Sequence, residues 1–167
     1  MIVQMNLTKI NKMDKEFKFN YKLIDSVELL YNDDILLVEK AISGMDNAYA
    51  PYSNFKVGAS IRLENGEIVV GNNQENIAYP SGLCAERVAL FYVGANYPNV
   101  SIETICIVAK GDLIPIDSII APCGSCRQVM IESEQRQPKP IRVILVNQNK
   151  TVVIVESVKY FLPFIFG

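Results

Sequence analysis

Apolar and polar side chains alternate strictly over residues 17–23, FKFNYKL, the period-two signature of a half-buried strand. Residues 33–48, DDILLVEKAISGMDNA, switch to helical spacing, with Asn32 or Asp33 as the capping residue and Pro51 of the following APYSN as the stop. FKVGASIRL and EIVVGNN then flank ENG, an Asn-Gly turn between two strand-like runs and a strong hairpin signal. PSGL leads into CAERVALFYVGANY, which reads as a helix. IETICIVAK reads as a buried strand, and PCGSCRQVMIESE opens a further helix. PIRVILV and TVVIVE form a strand pair across NQNK, and SVKYFL reads as a short terminal helix. Strands separated by helices predict an α/β layered domain with a mixed sheet.

Composition narrows the function classes. The 167 residues suit one domain with a real core, half of them apolar and a fifth charged. A net charge of −2 and a pI near 5.2 argue against a nucleic-acid footprint, which is usually basic. The early lysines are interleaved with acids and apolar residues, so they form no basic block. A small neutral molecule fits this balance better than a polyphosphate partner. No apolar run reaches the ~18–20 residues that cross a bilayer. MIVQMNLTKINKMDKEF lacks the apolar stretch of a signal peptide, so a cytoplasmic location is expected. Four cysteines in such a compartment point to metal binding or catalysis more than to disulfides.

The chemistry-bearing stretch is APCGSCRQVM, with Cys123 and Cys126 two residues apart, in a chain without histidine. Zinc takes about four ligands, three of them from protein in catalytic sites. The further cysteines are Cys84 and Cys106. Cys84, Cys123 and Cys126 all stand at predicted helix starts, where free N–H groups and a partial positive charge favour thiolate. Cys106, inside TICIVA, reads as a buried inert thiol. Competing readings are a redox CxxC, for which a thioredoxin-like context is missing, and a structural four-cysteine site that includes Cys106. Glu86, in CAER, is a candidate proton shuttle, and equally an ordinary first-turn glutamate favoured by the helix dipole. Positions i and i+2 do not share a helix face. Periodicity therefore brings Glu86 to the metal of Cys84 only if the helix start departs from regularity or the metal sits over its end.

Cys-Ala-Glu followed by Pro-Cys-x-x-Cys is the pattern of zinc-dependent nucleoside and nucleobase deaminases. The sequence resembles the cytidine deaminases of the small homotetrameric kind from about Ala48 to Gly167, through YAPYSNFKVGA, NNQENIAYPSGLCAER, APCGSCRQVM and FLPFIFG. The resemblance implies a three-layer α/β/α sandwich with a mixed five-stranded central sheet. It divides the chain into an N-terminal extension, 1–32, with a possible added strand at FKFNYKL, and a catalytic domain, 33–167. It implies one zinc per chain on Cys84, Cys123 and Cys126, and Glu86 as the residue that moves protons. Asn73 and Glu75 would bond the ribose hydroxyls and Phe55 would pack near the base. The backbone of Ala85 would contact the pyrimidine, and the Ala121 carbonyl would face the departing amine. Tyr79 and Phe166 match aromatic positions near the site, the latter reaching in from a neighbouring subunit of a homotetramer. In related deaminases an arginine at the position of Arg87 bonds a zinc-bound thiolate.

The implied reaction is hydrolytic deamination of cytidine and 2′-deoxycytidine, with neither nucleic acid nor membrane as partner. Rival readings are a deaminase of a nucleoside analogue such as blasticidin S, and a non-enzymatic structural zinc protein. Plain structural roles also exist for these residues: a strand end for Asn73 and Glu75, core for Phe55, a frayed end for Phe166, a surface helix position for Arg87. Lys56 stands where many relatives have proline, and Gln74 where an aliphatic residue is common.

Overall fold

The computed structural model describes residues 15–166. Six strands and three α-helices alternate along the described chain: β1 Lys22–Ile24, α1 Asn32–Asp46, β2 Lys56–Leu63, β3 Ile68–Asn72, α2 Ala85–Asn96, β4 Ile102–Lys110, α3 Gly124–Gln135, β5 Arg142–Val146 and β6 Val152–Val155. They form one sheet in the order β1-β6-β5-β4-β2-β3. The β4–β5 pair is parallel and every other pair antiparallel, so the sheet is mixed as expected. The expected five strands are β2 to β6. The extension adds β1 and makes the sheet six-stranded, a correction to the count.

The added strand occupies residues 22–24 rather than 17–23. Among the described residues its only partner is β6, which turns away after Val155 into a 3-10 segment, Val158–Phe161. Residues 17–21 find no ladder there. Phe17 and Phe19 pack on Tyr160 instead, the latter stacked at a ring separation of 5.6 Å.

Two helical layers cover the sheet. Along β4 the side chains alternate between two cores. Cys106 and Val108 meet Leu37, Val38 and Ala41 of α1. Ile105, Ile107 and Ala109 meet Ala85, Ala89, Leu90 and Met130 of α2 and α3. Coverage on both faces explains why IETICIVAK is nearly continuously apolar.

Helix α1 differs from expectation at both ends. Its capping position is Tyr31, with Asn32 already helical. It closes at Asp46, well short of Pro51, because the chain leaves to pair with the next segment: Tyr49 donates its N–H to the Asn73 carbonyl, and Glu75 donates to the Tyr49 carbonyl. Pro51 sits in the turn that follows. Asp34, almost fully buried in the first turn of α1, accepts two bonds from Arg142 of β5, at 2.9 and 2.8 Å. Arg62 of β2 approaches the same carboxylate at 3.5 Å.

Helix α2 lies close on β3. A Cβ at Gly71 would stand 2.5 Å from the Ala85 carbonyl oxygen and 2.7 Å from the Ala89 nitrogen. The missing side chain thus sets the depth of the helix that begins at Cys84. Among the described residues no helix is long and apolar enough to cross a membrane.

Candidate active site

Helices α2 and α3 lie on the same face of the sheet, and their N-termini converge. Cys84 is the capping residue of α2 and Cys123 that of α3, both in extended backbone, with ψ of 153° and 166°. Cys126 lies in the first turn of α3 and is fully buried. The sulfurs of Cys84 and Cys123 are 3.8 Å apart, those of Cys123 and Cys126 are 3.5 Å apart, and all three fall within 4.8 Å. A tetrahedral zinc with Zn–S of ~2.3 Å separates its sulfurs by about 3.8 Å, so the donor set and spacing fit that ion. Among the described residues no other cluster of this kind occurs. Cys106 faces the α1 layer on the other side of the sheet, which removes it as a fourth ligand. Burial, and then the Asp34 carboxylate, push its thiol far up, as for an inert core residue.

The difficulty of Cys84 and Glu86 resolves at the helix start. Cys84 has extended backbone, so the pair is not at helical i, i+2 spacing. Glu86 is only 4% exposed and lines the same cavity as Cys84 and Cys123. Burial raises its carboxyl pKa, and the charge on Cys84 adds to the rise. Arg87 turns back on Cys84: its Nη2 donates to that sulfur at 3.9 Å and to the Gly82 carbonyl at 3.4 Å. Its Nε is buried and has no hydrogen-bond partner among the described residues. The neighbouring Cys126 thiol, and then Arg87 and Cys123, push the Cys84 thiol down to about 5 against the opposing effect of burial.

Beside the sulfurs opens a cavity of about 620 Å³. Phe55, Asn73, Glu75, Tyr79 and Ala121 line it. Asn73 is braced at both ends: Oδ1 accepts from the Val57 N–H at 2.8 Å, and Nδ2 donates to the Phe55 carbonyl at 2.9 Å. One N–H and one lone pair remain for a ligand. Glu75 accepts from the N–H groups of Tyr52 and Ser53, at 2.9 and 3.3 Å, and from the Ser53 hydroxyl. The hydroxyl, more than the backbone bonds, holds this carboxyl below its usual range against the opposing effect of desolvation. Gln74, between them, pairs its backbone both ways with Leu83, each bond 2.9 Å, and so ties this segment to the residue before Cys84.

Two predicted residues stand apart. Ala85 is fully buried and does not line the cavity. Phe166 is 88% exposed and lies outside the lining, its carbonyl accepting from Gln128 at 3.1 Å. Other lining residues lay outside the sequence reading, among them Tyr52, Ser53, Leu113 and Ile120. PYS after a helix signals only a turn, and Leu113 sits in a loop with no periodicity.

Residues 31–139 match the family described as "Cytidine and deoxycytidylate deaminase zinc-binding region". The chain belongs to this family. The cytidine deaminase of Halalkalibacterium halodurans is 38% identical over 100 residues, 60% of this chain and 71% of that protein. The cytidine deaminase of Mycobacterium tuberculosis is 34% identical over 110 residues, 64% of this chain and 78% of its own length. The crystal structure of the Burkholderia pseudomallei cytidine deaminase superposes with a TM-score of 0.67 at 38% identity, covering 79% of this chain and 98% of that one.

Within this deaminase family frame, the two departures have local uses. Lys56 reaches the Asp46 carbonyl at the end of α1, at 3.0 Å, a bond that a proline could not make. Gln74 turns its side-chain amide to Asn72.

Proposed function

We propose that the chain catalyses hydrolytic deamination of cytidine and 2′-deoxycytidine, giving uridine or 2′-deoxyuridine and ammonia. The observation that carries this reading is the buried carboxyl of Glu86 in one cavity with Cys84, Cys123 and the Asn73–Glu75 pair, Cys126 completing the thiol cluster behind them. Cys84, Cys123 and Cys126 would hold one zinc per chain. When bound, zinc supplies the Lewis acidity that makes a water nucleophilic near neutral pH.

The rest is work for the chain's own residues. Glu86 takes a proton from the attacking water and delivers it to N3 of the base, then takes the second proton from the new C4 hydroxyl and passes it to the amine as the C–N bond breaks. A raised pKa suits a group that must both accept and donate. Asn73 and Glu75 hold the ribose hydroxyls, the latter as a carboxylate kept ionised by Ser53. Phe55 and Tyr79 pack beside the nucleoside, the Ala121 carbonyl receives the amine, and the Ala85 backbone contacts the pyrimidine. Three thiolates outweigh Zn²⁺ by one negative charge. Arg87 offsets it, helped by two helix N-termini worth ~0.3–2 kcal/mol each.

A homotetramer with shared sites fits the exposed tail, in which Phe164 and Phe166 are 93% and 88% exposed. The free state of all four cysteines suits the cytoplasm.

The test is ultraviolet monitoring of cytidine conversion by metal-analysed protein, with Glu86→Ala in parallel. Conversion by the wild type near one zinc per chain, lost in a variant that retains zinc, is the expected result. Full zinc loading with no turnover of cytidine, deoxycytidine or blasticidin S would refute the reading.

A further inference from the structure

The cavity has one wall without a ladder to hold it. Residues 111–122 connect β4 to α3, contribute Leu113, Ile120 and Ala121 to the lining, and run straight into Cys123. Two consecutive side chains from the β5–β6 turn grip this segment at its ends. Gln148 accepts from the Gly111 N–H at 3.0 Å and donates to the Gly111 carbonyl at 2.9 Å. Asn147 accepts from the Ile120 N–H at 3.1 Å.

Each grip passes into the site. Gly111 has φ of +148°, and a Cβ there would stand 3.0 Å from the Cα and the ring of Phe55. Holding Gly111 therefore holds one side of Phe55. Ile120 is itself a wall residue and precedes Ala121. Asn147 is 5% exposed, and its amide nitrogen bonds the Thr151 hydroxyl at 2.9 Å. The turn does not need this side chain for closure. Backbone bonds do that, from Lys150 N–H to the Asn147 carbonyl and from Asn147 N–H to the Thr151 carbonyl, both 2.9 Å.

We propose that Asn147 and Gln148 are positioning residues of the deamination site. Neither lines the cavity. Asn147 acts through Ile120 and Ala121, and Gln148 acts through Gly111 and Phe55. The inference rests on the deaminase reading for its substrate.

Three variants at and near Asn147 separate positioning from stability. Asn147→Leu keeps the γ-branched shape, is somewhat larger, and has no acceptor for the Ile120 N–H. Asn147→Asp keeps that acceptor, and the Thr151 hydroxyl can donate to it by giving up its bond to Asn149 Oδ1 at 2.7 Å. Thr151→Val removes the other bond of Asn147 and leaves Ile120 held. The measurements are kcat and KM for cytidine, zinc content, thermal unfolding, and hydrogen exchange at residues 119–121. Asn147→Leu is expected to keep its zinc, to lose ~10- to 100-fold in kcat as a misplaced wall would cause, and to exchange faster at Ile120. Asn147→Asp restores most of kcat. Thr151→Val lowers the melting temperature with kcat and Ile120 exchange unchanged. Gln148→Leu raises KM through Phe55. Wild-type kcat and unchanged exchange in a folded Asn147→Leu would overturn the proposal. A wild type that never converts cytidine would instead remove the deaminase reading, and exchange at Ile120 would still decide whether the grip exists.

Discussion

Replacing Arg87 with alanine removes the one cation that, among the described residues, touches the sulfur cluster. Its Nη2 lies 3.9 Å from the Cys84 sulfur. At that distance a unit charge pair is worth about 4 kcal/mol at an effective dielectric of ~20 and about 1 kcal/mol in bulk water. Arg87 is half-buried, so the value falls between. A hydrogen bond to a charged group contributes ~1.5–3 kcal/mol, which brackets the same figure. Taking about 2 kcal/mol, Arg87→Ala should lower kcat by roughly 30-fold, since 1.36 kcal/mol is tenfold. KM should move far less, because the charge acts on the sulfurs and not on the nucleoside. Arg87→Lys keeps the cation but not the planar fork, and should fall between the two. The assay is steady-state loss of cytidine absorbance, with zinc content measured on the same samples. A fully zinc-loaded Arg87→Ala with wild-type kcat and only a raised KM would refute the reasoning.

Cys106→Ser should leave zinc at one per chain, since this thiol belongs to the opposite face of the sheet; metal loss on elemental analysis would contradict the placement. Asp34→Ala strips Arg142 and Arg62 of a buried partner and should cost about 3–5 kcal/mol by urea unfolding, with little effect on KM. Gly71→Ala drives a methyl into the backbone of α2 and should lower stability by ~1–3 kcal/mol and kcat with it; an unchanged melting temperature would show that the helix can retreat freely. Glu75 is depressed in the folded protein, so its ionised form persists as pH falls below the usual carboxylate range and is lost only through the lower folded pKa. Ser53→Ala should therefore move the acid rise in KM to higher pH, and an unmoved profile would show that the hydroxyl does not set it.

Local signals carried much of this architecture. The Asn-Gly turn, the apolar run of β4 and the two cysteine-led helices follow from patterns a few residues long. The cysteine trio was legible because ligand type and helix starts coincide in sequence. The relation of Glu86 to Cys84 was not, since it depends on a backbone that becomes helical only after Cys84. The edge strand shows another limit: alternation at 17–23 marks a segment able to pair, but the length of β6 decides which residues do. Asn147 and Gln148 left no trace, because their partners lie 27 and 37 residues away and amides in a turn look like turn chemistry alone.

Cysteine at both helix starts has a thermodynamic consequence. Serine, aspartate or asparagine there would close the first turn with a side-chain bond worth ~1 kcal/mol. Neither Cys84 nor Cys123 makes such a bond. Two helices therefore begin without a side-chain cap, and a shared ion would join their first turns. Uptake of that ion and completion of this layer become a single equilibrium, with binding energy appearing as folding energy. Toward such a protein a strong chelator should act as a local denaturant, loosening the first turns of α2 and α3 at the end that bears the chemistry before it affects α1 across the sheet.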